Sequence, residues 1–189
     1  KEVEERIDIL FYRPLGFRVA KLASGIGLSP NVITIVSIIF GMLGGHLFYY
    51  DDLRLTIAGM ILWVCSNILD SADGQLARMT GQTSEIGRLL DGLGGGVVFG
   101  SIYLHIALRH IDDGGMFGVW VIAIALFAGI SHAIQSSLAD YYRNAFLRYG
   151  PPAQSGEIGN LPALRERYQQ LSWRIEPIAK FFTRVYINY

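Results

Sequence analysis

Asp70, Asp73 and Asp91 are carboxylates set against long uncharged runs, at a spacing that suits a hard metal ion. The stretch Asp70-Ser-Ala-Asp73-Gly74-Gln-Leu-Ala77-Arg78 directly follows one such run, and Gly87 and Asp91 come nine and thirteen residues after Arg78. A carboxylate at membrane depth is costly and by default marks a functional site. At about 100° per residue, a helix through the first group sets Asp70, Asp73, Gly74 and Ala77 on one face. A second helix sets Gly87, Asp91 and Gly95 on another. If the two are neighbours, three carboxylates converge, and unpaired they would repel one another and be poorly solvated. A divalent cation relieves both costs. All-oxygen ligands suit Mg²⁺, Mn²⁺ or Ca²⁺, and no Cys/His cluster offers a zinc site. Mg²⁺ commonly bridges carboxylates and substrate phosphates, Gly74 and Ala77 leave room for a bulky substrate, and Arg78 can meet phosphate charge. The competing reading of the same residues is that the acids pair with Arg78 and Arg88 only to hold helices together.

The elements that must position these groups are apolar and long. Val32–Tyr50 is a 19-residue run without formal charge, close to the roughly 20 that span a bilayer. Leu55–Leu69 is a shorter run leading into the acidic stretch, Leu89–Leu108 reaches spanning length around Asp91, and Met116–Ala139 is uncharged throughout. Four such runs predict an all-α, polytopic transmembrane helical bundle. Lys+Arg and Asp+Glu both total 16, so charge balance gives no reason to expect a nucleic-acid partner. The single cysteine, Cys65, lies in the second run and reads as a small packing residue.

The segment before the first run, 1–27, mixes Arg13, Arg18 and Lys21 with Ile7, Leu10, Phe11, Phe17 and Leu22. That composition suits an amphipathic helix in the membrane interface, a solvated linker being the alternative. Lys1–Arg13 lacks the apolar block of a cleavable signal peptide. Ser29 is placed to cap the first span and Pro30 to begin it. Asp51-Asp52-Leu53-Arg54 is short enough to make the first two spans antiparallel, and Met79–Ile86 reads as a polar turn before the third. Gly92, Gly94, Gly95, Gly96 and Gly100 allow close approach of a helix or a ligand along the third span. Only Arg54 and Arg109 fall in the loops Asp51–Arg54 and Arg109–Gly115, so the N-terminus, the acidic stretch and the C-terminal tail are expected to be cytoplasmic. The division expected is an interfacial segment at 1–27, a membrane-embedded catalytic-type domain at 28–149, and a cytoplasmic loop with an amphipathic helix at 150–189. In that helix Leu164, Tyr168, Leu171, Ile175 and Ile178 share a face and Pro177 interrupts it.

With these residues in place, the chain resembles the CDP-alcohol phosphotransferase family of membrane enzymes. The family pattern, D-x2-D-G-x2-A-R-x8-G-x3-D-x3-D, is met at Asp70, Asp73, Gly74, Ala77, Arg78, Gly87 and Asp91 with every gap correct. The resemblance implies a transferase of phospholipid synthesis, moving a phosphoalcohol or phosphatidyl group from a CDP-linked lipid donor to an alcohol acceptor with release of CMP. It implies Mg²⁺ or Mn²⁺ on Asp70, Asp73 and Asp91. Donor contacts are implied for Asn31, Thr34, Gly74, Ala77, Arg78 and Gly87. Tyr141 and Arg143 match positions that hold the acceptor in the family, although interfacial anchoring explains them equally. With Arg148, Arg143 suggests an inositol-type acceptor. An integral protein of a bacterial inner membrane is expected, and a homodimer fits its small-residue and amphipathic surfaces.

Two departures matter. The last aspartate of the pattern is replaced by Gly95, which removes the usual base for the acceptor hydroxyl, a group generally worth about 10²–10⁴-fold. Glu85, Asp140 and His132 are the substitutes to consider. Otherwise the donor is not CDP-linked, the acceptor is of sphingolipid type, or the chain is an inactive homologue that binds lipid or nucleotide. The family core also has six spans where four are visible, as in a truncated form of a longer protein.

Overall fold

A computed structural model describes residues 6–82, 85–149, 161–170 and Lys180, with the side chains of Glu85, Arg88, Asp91, Asp140 and Arg148 outside that description. The C-terminal face built on Leu171, Ile175 and Ile178, with Pro177, also lies outside the described residues. All described elements are helical. The chain forms two units, Lys1–Gln135 and Ser136–Tyr189.

In the first unit a π-helical turn, Asp8–Tyr12, runs into α1 (Arg13–Gly25). Gly27 ends α1 with φ of 73°, which lets the Leu28 N–H reach the Ala23 carbonyl at 3.0 Å. α2 (Pro30–Leu47) begins on Pro30, whose missing N–H costs nothing at a first helical position. Ser29 precedes it in an extended conformation, but its side chain makes no capping bond, contrary to expectation. The cap that does form is on α3 (Leu53–Thr80), where Asp52 accepts from the N–H groups of Arg54 at 2.7 Å and Leu55 at 3.3 Å.

α3 carries the apolar run and the acidic motif on one unbroken helix and stops at Gly81, with φ of 67°. The turn expected over Met79–Ile86 is therefore shorter. Met79 and Thr80 complete α3, whereas Glu85 and Ile86 open α4 (Glu85–Asp112). α4 also continues through the loop expected at Arg109, and Arg109 pairs with Asp51 and, at 3.5 Å, with Asp113. A 3₁₀ turn at Gly118–Trp120 leads to α5 (Val121–Tyr149), and a short α6 (Leu161–Gln170) follows in the second unit. Four of these helices are long and apolar enough to cross a membrane.

α2 is the centre of the first unit and packs on both α3 and α4, while α1 lies along α3. Its contacts with α3 run antiparallel, Thr34 meeting Asp73, Ser37 meeting Ser66, and Gly44 meeting Gly59. Its contacts with α4 run parallel, from Ile38 at Gly94, through Gly41 at Val98, to His46 at His105. Small residues make this possible, because lipid competes for apolar surface and close backbone approach must supply the contact. Ser66 Oγ donates to the Ser37 carbonyl at 2.8 Å and Ser37 Oγ donates to the Ser66 carbonyl at 3.1 Å, which satisfies both buried hydroxyls. Of the glycines expected to allow close approach along α4, Gly94 abuts α2, whereas a Cβ at Gly92, Gly95, Gly96 or Gly100 would meet nothing within 4 Å.

This contrast is testable. A Cβ on Gly44 would sit 2.8 Å from the Gly59 carbonyl oxygen and 3.2 Å from the Trp63 nitrogen, both backbone atoms that cannot swing aside. Gly44→Val should destabilise the bundle by about 3 kcal/mol. Gly92→Ala should be neutral or stabilising by up to about 1 kcal/mol. Thermal unfolding in detergent would show the difference as a lowered midpoint for the first variant alone.

The end of the bundle away from the acidic motif is pinned by polar groups. Tyr49 donates to Asp112, and this bond, aided by the Asp112 charge, holds the phenol above its ordinary range. The contribution of Tyr49 is thus complete below about pH 10 and is lost only as pH rises through the raised value. His105 Nδ1 lies 2.7 Å from the Ser101 carbonyl, which can only accept. His105 Nε2 is therefore left to accept from His46 Nδ1 at 3.1 Å.

Candidate active site

The antiparallel α2–α3 pair brings the first turn of α2 to the last turns of α3. There Asp73 is buried, 5% exposed, and its Oδ2 accepts from Thr34 Oγ1 at 2.5 Å. Thr34, also buried, has the Pro30 carbonyl at 3.1 Å as its second acceptor. A buried carboxylate needs such donors, and here the donor comes from a different helix. Asp70 lies one turn earlier on α3 and is exposed. Asn31 is half-buried in the first turn of α2, and Gly87 is half-buried near the start of α4.

The backbone register places α4 in the same frame. Gly94 meets Ile38, so Asp91, one turn before Gly94, stands level with Thr34 and Ile35. Thr34, Asp73 and Asp91 thus occupy one layer of the bundle, although the Asp91 side chain lies outside the described residues. Among the described residues no three acidic, His or Cys side chains converge.

Gly74 and Arg78 sit together on the following turn of α3. A Cβ on Gly74 would meet only the Arg78 guanidinium, 3.4 Å from Nη1. That contact is with the mobile end of a long side chain, so the fold does not demand glycine here as it does at Gly44. Gly74 and Ala77 are both half-buried on this face of α3. Arg78 is exposed and makes no hydrogen bond or ion pair with described residues. Among the described residues no acid therefore pairs with Arg78 merely to hold helices, and the Arg88 side chain lies outside the description.

Gln75, which sequence reasoning passed over, ties the site to α1 by donating to the Arg13 carbonyl and to the Ser71 carbonyl, both at 3.1 Å. Its amide fits because Gly16 of α1 lies directly over it, where a Cβ would come within 2.9 Å. The pair Gly16 and Gln75 was present in sequence, but nothing in one dimension joins them.

The other expected residues are not gathered here. His132 stacks on Phe99 with ring centroids 4.1 Å apart, and its Nδ1 lies 3.0 Å from the Tyr103 hydroxyl. Phe99 is one turn beyond Gly95 on α4. Tyr141 and Arg143 are exposed on α5 in the second unit. The side chains of Glu85 and Asp140 lie outside the described residues.

The donor set fits a hard divalent cation. Asp73 offers a carboxylate already oriented by Thr34, Asp70 a second one turn away, and this end of the described bundle contributes oxygen rather than sulfur or imidazole. Were an ion bound there, Thr34 would act on it through Asp73. Thr34→Val should weaken divalent-ion binding by about 10–100-fold with little change in fold, read by isothermal titration with Mn²⁺.

Comparison with known proteins gives the same direction. The sequence profile of the CDP-alcohol phosphatidyltransferase family matches residues 28–152. An archaetidylinositol phosphate synthase of Pyrococcus horikoshii is 39% identical over 74 residues, covering 39% of this chain and 38% of that protein. A bifunctional IPC transferase and DIPP synthase of Thermococcus kodakarensis is 31% identical over 121 residues, 64% of this chain and 26% of the other. A CDP-diacylglycerol–serine O-phosphatidyltransferase of Helicobacter pylori strain 26695 is 34% identical over 132 residues, 69% and 54% respectively. The chain spans about half, or less, of the length of these relatives. The profile covers α2 to α5, and with them Thr34, Asp73, Arg78 and the register that levels Asp91 with both. An all-helical bundle with four membrane-crossing helices, carrying this motif in this layer, belongs to the CDP-alcohol phosphatidyltransferase family.

Proposed function

We propose that the chain transfers a phosphorylated head group from a CDP-linked lipid to an alcohol acceptor in phospholipid synthesis, releasing CMP. The observation that carries this reading is the buried Asp73, oriented by Thr34 from a neighbouring helix beside Gly74. A fold that needed Asp73 only for packing would not leave the adjacent Gly74 facing only the end of the Arg78 side chain, which pairs with nothing among the described residues.

Asp70, Asp73 and Asp91 would hold Mg²⁺ or Mn²⁺. When bound, the ion neutralises the donor diphosphate and the leaving CMP. The chain's own residues do the rest. Thr34 fixes the Asp73 carboxylate, Gly74 and Ala77 admit the nucleotide, and Asn31 and Gly87 border it. The Arg78 guanidinium meets the diphosphate through charge-assisted hydrogen bonds. The acceptor oxygen bonds to the transferred phosphorus as the diphosphate bond breaks. Its proton passes to a base other than residue 95, for which Glu85, Asp140 and His132 are the candidates. An inositol-type acceptor is supported by the name of one relative, the archaetidylinositol phosphate synthase, and Tyr141 and Arg143 are assigned to it.

We place the site on the cytoplasmic side of a bacterial inner membrane, following the distribution of basic residues, with homodimers formed through the exposed small-residue and apolar surfaces. We also propose a three-part division of the chain at 27/28 and 149/150. A second reading rests on Gly95 alone: a sphingolipid-type acceptor, a donor not linked to CDP, or binding without turnover.

The test is CMP release by purified protein given CDP-diacylglycerol, Mg²⁺ or Mn²⁺, and glycerol phosphate, inositol, inositol phosphate or serine. Metal-dependent release with one acceptor supports the transferase. Silence with all four, alongside metal-dependent binding of the donor, moves the assignment to the second reading.

A further inference from the structure

His46 in the last turn of α2 and His105 on α4 meet at the end of the bundle opposite the acidic motif, with His46 Nδ1 and His105 Nε2 3.1 Å apart. The two are 59 residues apart in the chain, so no spacing pattern links them. Helix packing does. A Cβ on Gly45 would come within 2.9 Å of Ser101 Oγ and 3.0 Å of the Ile102 nitrogen, so the two helices are in close contact beside the pair. Ser101 Oγ donates across the same contact to the Met42 carbonyl at 3.2 Å. The rings, at 83° to each other, therefore stand on rigid elements rather than on a loop.

Each ring has an acceptor for its outer nitrogen. The Ser101 carbonyl lies 2.7 Å from His105 Nδ1, which fixes the ring proton there and leaves a lone pair on Nε2. The Tyr50 hydroxyl oxygen lies 3.4 Å from His46 Nε2 and is able to accept from it. With both protons outward, two lone pairs share one gap. An acceptor on the far nitrogen is the usual support of a metal-binding imidazole. The gap also has a suitable width. Tetrahedral bonds of about 2.05 Å hold two nitrogens about 3.3 Å apart, and the same bonds at a right angle about 2.9 Å. The separation of 3.1 Å lies between these. Two imidazoles without a carboxylate favour a late first-row ion over Mg²⁺. Among the described residues no third His, Cys or acidic side chain joins them, so water completes the shell from the exposed side of His46.

We propose that His46 and His105 bind a late first-row divalent cation, Zn²⁺ or Cu²⁺, which fastens α2 to α4. Without the ion, His46 carries its proton on Nδ1 and donates it across the gap. On binding, that proton moves to Nε2 and none is lost. The site lies about 18 Å along α2 from Thr34, so it is separate from the acidic motif and does not rest on the transferase reading.

The experiment uses Cu²⁺ to identify the ligands and Zn²⁺ to measure stability in the detergent-solubilised protein. Electron paramagnetic resonance with equimolar Cu²⁺ should show two coordinating imidazole nitrogens, and Zn²⁺ should raise the thermal midpoint. His46→Gln and His105→Gln should each abolish the Zn²⁺ shift and weaken Cu²⁺ binding by at least about 100-fold, because loss of a ligand costs more than loss of its outer partner. His132→Gln and Asp73→Asn remove a histidine and a carboxylate elsewhere and should bind Cu²⁺ as the wild type does. Unchanged binding in His46→Gln or His105→Gln would overturn the proposal. Loss in Asp73→Asn would do the same by moving the ion to the acidic motif, and equal loss in His132→Gln by reducing the effect to histidine content. If a glutamine variant fails to fold, the wild-type spectrum decides alone, since fewer than two nitrogens on Cu²⁺ leaves the pair as a hydrogen bond only.

Discussion

Asp73→Asn is expected to lower CMP release by about 10³-fold while leaving the bundle folded. Asparagine has nearly the shape of aspartate, and its carbonyl oxygen can still accept from Thr34 Oγ1, now 2.5 Å from Asp73 Oδ2. The α2–α3 contact is therefore kept, and only the negative charge is lost. If that charge holds a divalent ion, raising Mg²⁺ or Mn²⁺ should recover part of the rate, because weaker binding is offset by mass action. Steady-state assays across a metal titration, with thermal unfolding run beside them, separate this from loss of structure. A variant with wild-type rate and wild-type metal dependence would remove Asp73 from the metal site.

Gly95→Asp carries the second large effect, in the opposite direction. A Cβ at this position meets nothing within 4 Å, so the side chain enters open space and no packing is lost. It adds a carboxylate on the same face as Asp91, one turn along α4, where on the proposed reading it would take the acceptor proton in place of a base that reaches it from elsewhere. CMP release with a simple alcohol acceptor should rise by about 10²-fold, within the usual contribution of a general base. Gly96→Asp is the matched control. It adds the same charge to an equally open neighbour about 100° around the helix, and should produce no gain. An unchanged rate in Gly95→Asp would mean that a base already serves the reaction from elsewhere. His132 would then be examined first, because it lies against Phe99, the next turn of the same helix.

The two effects draw on different kinds of information. Gly95 stood out only through the resemblance to the family pattern, whereas Asp73 was legible because the gaps between acids on a helix dictate which of them share a face. The apolar runs were legible for a similar reason. A bilayer accepts only long uncharged helices, so length and charge alone predict four of them, and four helices meet that test. Where each helix ends was less well read. α3 runs through Thr80 to Gly81 because the backbone keeps its hydrogen bonds until a glycine can turn left-handed, whatever the polarity of the side chains on the way.

The sequence by itself determined the helical class, the membrane setting, the acidic motif and the absence of a carboxylate at residue 95. These follow from composition, periodicity and spacing along a single strand of chain. Only the tertiary structure decided that Thr34 serves Asp73, that Gly44 and Gly59 are packing glycines whereas Gly74 and Gly95 are not, and that His46 meets His105. Each of those relations joins residues from different helices or depends on what lies beside a bare Cα. Crossing geometry and side-chain volume in three dimensions set them, and spacing along the chain carries neither.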